Sequence, residues 1–414
     1  MFIQLQAFVA SYLPDKSSSS GPDNDYSKLS VAMLFKGLTL AALAGAALAQ
    51  ESTPDLTTLL SNQTELSNLT SYLQAFPDFT GQLSGLRNIT LLAPNNAAFA
   101  NLLNSSAGAA LTNGDQSLIT ALFSYHVVNG TYANLTEAKF LPTLLQPPQY
   151  TNVTGGQVVS VYESDNVTSF VSGLLTTANL TMEPLNFTGG VVHIIDNVLL
   201  IPQNVSETAT QLNLTAAAGA LKNASLVDSV DYLEDVTIFV PNNEAFSAIG
   251  SALPNLTMEE LTPILTYHVV NGTVGYSNKL ENGTILKTLE GTNVTITVED
   301  NGDVFVNSAK VVLPDVLVAN GVVHVIDNVL NPENATATAP ANGTESGSPA
   351  FEGASSASNI PFTSGVAEPT STIATENAPQ ATSSSSGLAA APMQTGAMGA
   401  AALFGGAAII INNL

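Results

Sequence analysis

Four histidines are the residues of this chain best suited to acid–base or metal chemistry, because the chain contains no cysteine. They are His126, His193, His268 and His324. Imidazole can bind a metal ion, but a metal site needs several ligands that converge. The first two histidines are 67 residues apart and the last two are 56 apart, which matches no ligand spacing. We therefore predict neither a metal site nor a cofactor.

Each histidine has a neighbour that could act with it. These neighbours are Tyr125, Tyr267, Asp196 and Asp327. The aspartates follow their histidines by three positions, which on a strand places the two side chains on opposite faces. The His–Asp pairs are therefore not ready dyads. We interpret all four histidines as buried, hydrogen-bonded core residues, with an interaction role for the two Tyr-His pairs as the alternative.

Motifs that would indicate catalysis are absent from the sequence. It contains no Gly-x-Ser-x-Gly, His-Glu-x-x-His, P-loop, Gly-x-Gly-x-x-Gly or EF-hand pattern. The acidic pairs at 234–235 and 259–260 are adjacent residues, which do not converge across a cleft as glycosidase carboxylates do. A formal net charge of −24 opposes binding to phosphate backbones. We predict a protein that is not an enzyme and does not bind nucleic acid.

Three sequence blocks occur twice in the same order, which indicates an internal repeat. Pro-Asn-Asn-x-Ala-Phe occurs at 94–99 and 241–246. Tyr-His-Val-Val-Asn-Gly-Thr occurs at 125–131 and 267–273. Gly-Val-Val-His-x-Ile-Asp-Asn-Val-Leu occurs at 190–199 and 321–330. We predict two domains, residues 52–202 and 205–332, joined by a linker short enough to fix their orientation.

Local patterns predict an α+β fold for each repeat. Short apolar strands at 90–93 and 237–240 end at a proline, and the asparagine that follows can cap a helix. Apolar periodicity predicts helices at 118–123 and 261–265, before each Tyr-His pair. The predicted hairpins are 157–163 with 167–171, whose tip carries Asn166, and 293–298 with 304–306. Helices thus come first and in the middle, and antiparallel strands follow.

The repeated blocks resemble the signatures of fasciclin-like (FAS1) domains. Thr, three hydrophobic residues and Pro-Asn-Asn-x-Ala-Phe resemble the first signature, and the Gly-Val-Val-His block resembles the second, with Tyr-His between them. The resemblance implies two tandem wedges of small β-sheets with packed helices. It also implies adhesion or contact with a matrix or wall rather than catalysis. In animal members the Tyr-His region is implicated in integrin binding, from which we carry over the position but not the partner.

Nineteen Asn-x-Ser/Thr sequons predict N-glycosylation in the secretory pathway. Their asparagines are Asn62, Asn68, Asn88, Asn104, Asn129, Asn134, Asn152, Asn166, Asn179, Asn186, Asn204, Asn213, Asn223, Asn255, Asn271, Asn282, Asn293, Asn334 and Asn342. The sequons end where the predicted folded part ends. Accidental matches in a Thr-rich strand protein are the alternative.

The N-terminal region has the pattern of a targeting signal. Residues 37–49 are an apolar run that ends in Ala-Leu-Ala, which predicts a signal peptide over 33–49. The run is too short to cross a bilayer. Residues 1–32 are then either a gene-model extension before a start at Met33 or an unusually long n-region.

The C-terminal region resembles the signal for a glycosylphosphatidylinositol (GPI) anchor. Small residues at 384–387 precede a spacer and an apolar end, so 387–414 would be removed and Ser385 would carry the lipid. Ser386 and Gly387 are alternative attachment sites, and a weak single-span helix is the alternative to the anchor. Residues 333–386 are rich in Ser, Thr, Pro and Ala, which predicts an unfolded stalk.

These predictions together indicate a cell-surface glycoprotein that contacts cell-wall or matrix glycans or surface proteins. It would reach the membrane only through its lipid. The alternatives are a structural wall mannoprotein that acts through glycan bulk, and a vacuolar or fully secreted protein without an adhesive role.

Overall fold

The computed structural model describes residues 53–103, 115–146, 148–335, 337–340, 347, 350–351 and 353–367. Outside the described residues lie the predicted extension 1–32, the signal peptide 33–49, stalk residues 368–386, the anchor signal 387–414 with Ser385, and Asn104, Asn342 and the side chain of Asn255. The described part begins at Thr53 and belongs to one compact unit.

The first half of the structure, residues 53–202, combines five described helices with eight strands. These elements are α1 (Leu56–Asn62), α2 (Ser67–Ala75), α3 (Pro77–Gly85), β1 (Ile89–Pro94), α4 (Asn96–Leu103), α5 (Gln116–Tyr125), β2 (Val127–Asn129), β3 (Lys139–Pro142), β4 (Val158–Ser164), β5 (Val167–Val171), β6 (Thr177–Asn179), β7 (Leu185–Phe187) and β8 (Gly190–Ile195). The strands form two four-stranded sheets, in the orders β2-β1-β8-β7 and β3-β4-β5-β6.

The second half, residues 203–332, repeats this order of elements. They are α6 (Val205–Gln211), α7 (Thr215–Asn223), α8 (Val227–Asp231), β9 (Val236–Pro241), α9 (Asn243–Ala248), α10 (Met258–Tyr267), β10 (Val269–Val270), β11 (Ile285–Lys287), β12 (Asn293–Val298), β13 (Val304–Val306), β14 (Ala309–Val318) and β15 (Gly321–Ile326). Here one seven-stranded sheet has the order β10-β9-β15-β14-β13-β12-β11. It is continuous because β14 runs unbroken through the region where the first half has two short strands, β6 and β7.

The predicted strands, helices and hairpins are present, and the caps explain why the helices begin where they do. The side chain of Asn95 accepts a hydrogen bond from the backbone N–H of Ala98 (2.9 Å), and Asn242 accepts one from Ala245 (2.8 Å). These bonds satisfy helix N–H groups that have no intrahelical partner. The proline before each cap is the last residue of a strand, as the sequence predicts.

The central strand pair of each half is parallel, a feature that the sequence patterns do not predict. Strand β1 pairs with β8, and β9 pairs with β15. The paired residues are about 100 positions apart in the first half, as in Ile89 with Gly190, and about 85 apart in the second, as in Val236 with Gly321. A side chain at Gly190 would overlap the carbonyl oxygen of Ile89, and one at Gly321 would overlap that of Val236. The glycine that opens the Gly-Val-Val-His block therefore allows the two parallel backbones to approach.

The predicted stalk over 333–386 is wrong for part of its length. Phe351, Ala354, Phe362 and Val366 pack against the core of the second half, and Ala350 is buried. The prediction failed because it averaged composition over the whole segment, whereas a few apolar residues at irregular spacing supply these contacts. The residues from 350 to 367 that the structure describes, all except 352, are called the C-terminal strap below.

Candidate functional site

The two Tyr-His pairs lie where helices α5 and α10 end. Helix α5 begins at a cap formed by Asp115, whose carboxylate accepts hydrogen bonds from Ser117 N and Leu118 N. Helix α10 begins with a capping box between Thr257 and Glu260, which gives one member of the acidic pair 259–260 a structural role. Tyr125 and Tyr267 are the last residues of the two helices. The repeated block therefore marks a helix end in both halves.

The histidine after each helix ties that helix to a distant segment. His126 donates from Nδ1 to the carbonyl oxygen of Leu122 (2.8 Å) and accepts at Nε2 from the backbone N–H of Leu199 (3.0 Å). His268 makes the same pair of bonds, at 2.8 and 2.9 Å, with Ile264 and Leu330. Only the neutral ring can donate at one nitrogen and accept at the other.

Burial keeps these two rings neutral. Desolvation lowers the pKa of His126 and of His268 to about 4, although each hydrogen bond to a helix carbonyl opposes the shift. Their side chains are 3% and 4% exposed. Groups that are buried, neutral and satisfied at both nitrogens do not offer acid–base chemistry to a bound molecule.

The tyrosines of the two pairs are also inaccessible, with 0% exposure each. Tyr125 donates its hydroxyl to the carbonyl oxygen of Val158 (3.0 Å). Tyr267 donates to that of Asn293 (2.9 Å) and accepts from Nδ2 of Asn307 (2.9 Å). Burial raises the pKa of both phenols. The structure thus places both Tyr-His pairs inside the domains, where a partner on the surface cannot touch them.

The other two histidines lie on the central parallel strands and are each 1% exposed. His193 uses Nε2 to donate to the carbonyl oxygen of Tyr132 (2.6 Å), and His324 uses Nε2 in the same way with Gly275 (2.8 Å). Desolvation lowers the pKa of His193. Nδ1 of His324 accepts from the backbone N–H of Asp315 (3.3 Å), whereas Nδ1 of His193 has no partner among the described residues.

The difference between these histidines follows from one residue. Leu185 pairs with Val192 in the register in which Val316 pairs with Val323. Pro184 precedes Leu185 in the first half, and Asp315 precedes Val316 in the second. Proline has no N–H, so it cannot make the bond that Asp315 makes to His324.

The aspartates after β8 and β15 do not act with the histidines. Asp196 accepts hydrogen bonds from the backbone N–H and Nδ2 of Asn179 (2.6 and 3.0 Å), and Asp327 accepts one from the backbone N–H of Lys310 (2.8 Å). Each one secures a neighbouring strand. Across the residues that the structure describes, no group of three or more His, Asp or Glu side chains could hold a metal ion.

The junction between the halves contains residues that the repeats did not identify. Gln157 is fully buried and donates from Nε2 to the carbonyl oxygen of Val318 (2.8 Å). Asp235 accepts from the backbone N–H of Thr154 (2.7 Å). The rings of Phe140 and Tyr276 stack with centroids 4.3 Å apart. These residues lie outside the repeated blocks, so self-similarity could not find them.

Tyr276 carries an unsatisfied polar group at this junction. Its side chain is 4% exposed, and its hydroxyl has no partner among the described residues. Burial, with the nearby charge of Asp315, raises the pKa of the phenol. Lys279 lies with its Nζ atom 5.4 Å from the ring centroid. A cleft of about 330 Å³ borders this group and is also lined by Asp235.

The sequon asparagines are distributed over the surface. Of the sixteen whose side chains the structure describes, twelve are exposed, four are half-buried and none is buried. The half-buried residues are Asn152, Asn179, Asn204 and Asn334. Asn166 lies at the exposed tip of the β4–β5 hairpin, where φ is 62°. Among the described residues no helix is both long and apolar enough to cross a membrane.

The comparisons with known proteins agree with this architecture. The Fasciclin domain family matches residues 64–202 and 212–332, so the chain belongs to this family and carries two tandem FAS1 domains. A fasciclin-like arabinogalactan protein of Arthroderma benhamiae is 37% identical over 318 residues, which are 76% of this chain and 75% of that protein.

Two further proteins are similar to this chain. Fasciclin-like arabinogalactan protein elcF of Phaeosphaeria nodorum is 33% identical over 282 residues, which are 67% of this chain and 89% of that protein. A solved FAS1 domain pair from the insect cell adhesion molecule Fasciclin I covers 65% of this chain and 98% of its own, with 20% identity and a TM-score of 0.32.

Proposed function

We propose that this protein is a non-enzymatic cell-surface glycoprotein that mediates adhesion or contact with a cell wall or extracellular matrix. The observation that carries the proposal is that the described part of the chain, which includes two FAS1 domains, presents sixteen sequon asparagines, none of them buried. Glycans on the exposed members of this set would add hydrophilic groups to a chain in which only 10% of residues are charged, and they would face the surrounding polymer. Fungal relatives that bear the name fasciclin-like arabinogalactan protein support the same class of role.

The adhesive surface in this proposal is the exterior of the domain pair and not the Tyr-His motif. A residue with 0% exposure cannot contribute to binding without unfolding. The partners would be wall or matrix glycans or surface proteins. Residues 33–49 would direct secretion, and a lipid at Ser385 would hold the domain pair at the cell surface.

The location is tested by treating intact cells with a phosphatidylinositol-specific phospholipase. We expect the enzyme to release the protein, and endoglycosidase treatment to reduce its apparent mass. A chain with Ser385, Ser386 and Gly387 replaced by bulky residues serves as the control and should not be released. Retention of the wild-type protein on phospholipase-treated cells, or its recovery from the vacuole, would contradict the proposed location.

The adhesive role is tested separately with deletion cells and the purified glycosylated ectodomain. We expect weaker attachment of the deletion cells and binding of the ectodomain to wall or matrix glycans. A second candidate, a structural wall glycoprotein, is favoured by the number of exposed sequons. It predicts that attachment depends on the total number of glycans and that the ectodomain binds no specific polymer, so the two roles give different results.

A further inference from the structure

The C-terminal strap contacts the second domain through backbone hydrogen bonds as well as apolar side chains. Ser355 and Ser251 exchange two bonds, of 3.0 and 2.8 Å, and the backbone N–H of Ala357 donates to the carbonyl oxygen of Ser247 (2.8 Å). Lys222 donates from Nζ to the carbonyl oxygen of Gly365 (2.7 Å). These bonds hold the strap along helices α7 and α9 and the turn that follows α9.

Two glycines of the second domain lie directly under the strap. A methyl group at Gly219, inside helix α7, would overlap the carbonyl oxygen of Phe362, and one at Gly250 would overlap the side chain of Ala357. Glycine inside a helix is less stable than alanine, and nothing in the conformation of Gly219 itself requires it. The strap is the neighbour that makes a smaller residue necessary at these positions.

The strap also supplies an aromatic ring that the second domain lacks. In the first domain, Tyr72 of α2 covers Phe99 edge-on, with ring centroids 5.3 Å apart. Helix α7 occupies the matching place, because Asn243 accepts from the backbone N–H of Ala216 as Asn96 accepts from that of Asn68. This helix carries only small residues over positions 215–220.

Phe246, which is the counterpart of Phe99 in the repeated block, is instead covered edge-on by Phe362, with centroids 6.1 Å apart at 85°. The backbone of Phe362 has φ 62°, a conformation that a bulky residue adopts only where its surroundings determine it. The ring is therefore placed by its fit to the second domain.

We propose that the small-residue face of α7 with Phe246 is a peptide-docking groove, and that its occupant is the strap of the same chain. The groove fits an extended segment that carries one aromatic ring opposite Gly219. The strap completes the core of the second domain, as Tyr72 completes the core of the first.

If the protein is anchored at the cell surface, as the proposed function has it, the strap would carry mechanical load. The chain from residue 368 onward would connect the strap to the lipid anchor. Mechanical force on the anchor would therefore reach the strap before it reaches the domains. Release of residues 350–367 would lengthen the molecule by roughly 60 Å, at 3.3–3.6 Å per extended residue. The docking itself does not depend on anchoring and is tested on the isolated protein.

The test uses the full secreted chain with a site-specific protease sequence inserted between Pro340 and Gly347. After cleavage we expect the C-terminal fragment to co-elute with the domain pair in size-exclusion chromatography. Phe362→Ala and Gly219→Ala should each reduce the co-eluting fragment at least about tenfold, the effect of losing one well-packed contact. Ile360→Ala is the matched control on the strap, because Ile360 is 43% exposed.

Gly81→Ala is the matched control for the helix, since a methyl group at Gly81 of α3 would meet no atom within 4 Å. In the uncleaved chain, Gly219→Ala should lower the melting temperature although alanine favours a helix, because the added methyl group would overlap the carbonyl oxygen of Phe362. Separation of the wild-type fragment on cleavage, or equal retention in all four variants, would overturn the proposal. An uncleaved Gly219→Ala chain with a melting temperature equal to or above that of the wild type would also overturn it.

Discussion

Nε2 of His126 accepts a 3.0 Å hydrogen bond from the backbone N–H of Leu199, which joins the end of α5 to the segment after β8. The partners are 73 residues apart, so this bond closes about half of the first domain into one loop. His268 closes the second domain through Leu330 in the same way. The two histidines therefore have a stabilising role in both domains, and their protonation couples pH to the stability of the fold.

Acid is expected to destabilise the domain pair through these two rings. Their folded pKa of about 4 lies below the value of about 6.5 in the unfolded chain, so the unfolded state takes up protons first as pH falls. Stability is complete above about pH 6.5 and declines by about 1.4 kcal/mol per pH unit per histidine. Each ring should cost about 3 kcal/mol by pH 4. Denaturant unfolding between pH 7 and pH 4 measures this loss.

The matched variants His126→Gln and His268→Gln isolate this effect from the titration of carboxylates. Each variant should be less stable at pH 7, but its free energy of unfolding should fall less steeply as the pH is lowered. The slope should correspond to about one proton fewer taken up on unfolding than in the wild type. Equal slopes for the wild-type protein and both variants would show that the histidines do not carry the acid sensitivity.

Removal of one hydroxyl at the domain junction is expected to stabilise the protein. Tyr276 buries an oxygen that has no hydrogen-bond partner among the described residues, and such a group costs about 1–3 kcal/mol. Tyr276→Phe keeps the stacking on Phe140 and should raise the free energy of unfolding by about 1 kcal/mol. Tyr276→Ala should lower it by about 3–5 kcal/mol. A loss of stability in the Phe variant would mean that the hydroxyl has an unrecognised partner.

Substitution in the Tyr-His pairs is expected to change stability and not binding. Tyr125→Phe removes the hydroxyl that donates to Val158 and leaves a buried carbonyl group without that partner. We expect a loss of about 1–3 kcal/mol, measured by denaturant unfolding. Attachment per displayed molecule should stay unchanged at a temperature at which the variant is folded. Reduced attachment by a variant of unchanged stability would instead support an interaction role for the motif.

Glycan occupancy is expected to differ between two sequons of the same sheet. Asn166 is exposed at a hairpin tip, whereas Asn179 lies in β6 with its Nδ2 donating to Asp196 (3.0 Å). We expect Asn166→Gln to remove one glycan from the secreted protein and Asn179→Gln to remove none. Intact mass spectrometry and glycopeptide mapping measure both. A glycan on Asn179 would show that modification precedes the pairing of β6.

The pattern of hydrogen bonds around Asn179 would then have to form differently in the mature protein. Its Oδ1 accepts from the hydroxyl of Ser169 (2.8 Å), and its backbone N–H also donates to Asp196. A melting temperature that rises on enzymatic deglycosylation would reveal such a conflict.

The sequence by itself determined the repeat, the local elements and the family resemblance. Each depends on patterns within short windows, such as the asparagine caps at Asn95 and Asn242 and the apolar period before each Tyr-His pair. Burial of the histidines could also be predicted, because no ligand spacing competed with a core role. These features are readable because near neighbours in the chain decide them.

Tertiary structure alone decided the parallel pairing of β1 with β8, the junction around Gln157 and Tyr276, and the docking of the strap. Each of these joins residues that are far apart in the sequence, and no local pattern carries information about such a partner. Gly219 shows the reason most clearly. In the sequence it is a weak point of an alanine-rich helix, and only the carbonyl group of Phe362, 143 residues later, explains why a side chain is excluded there.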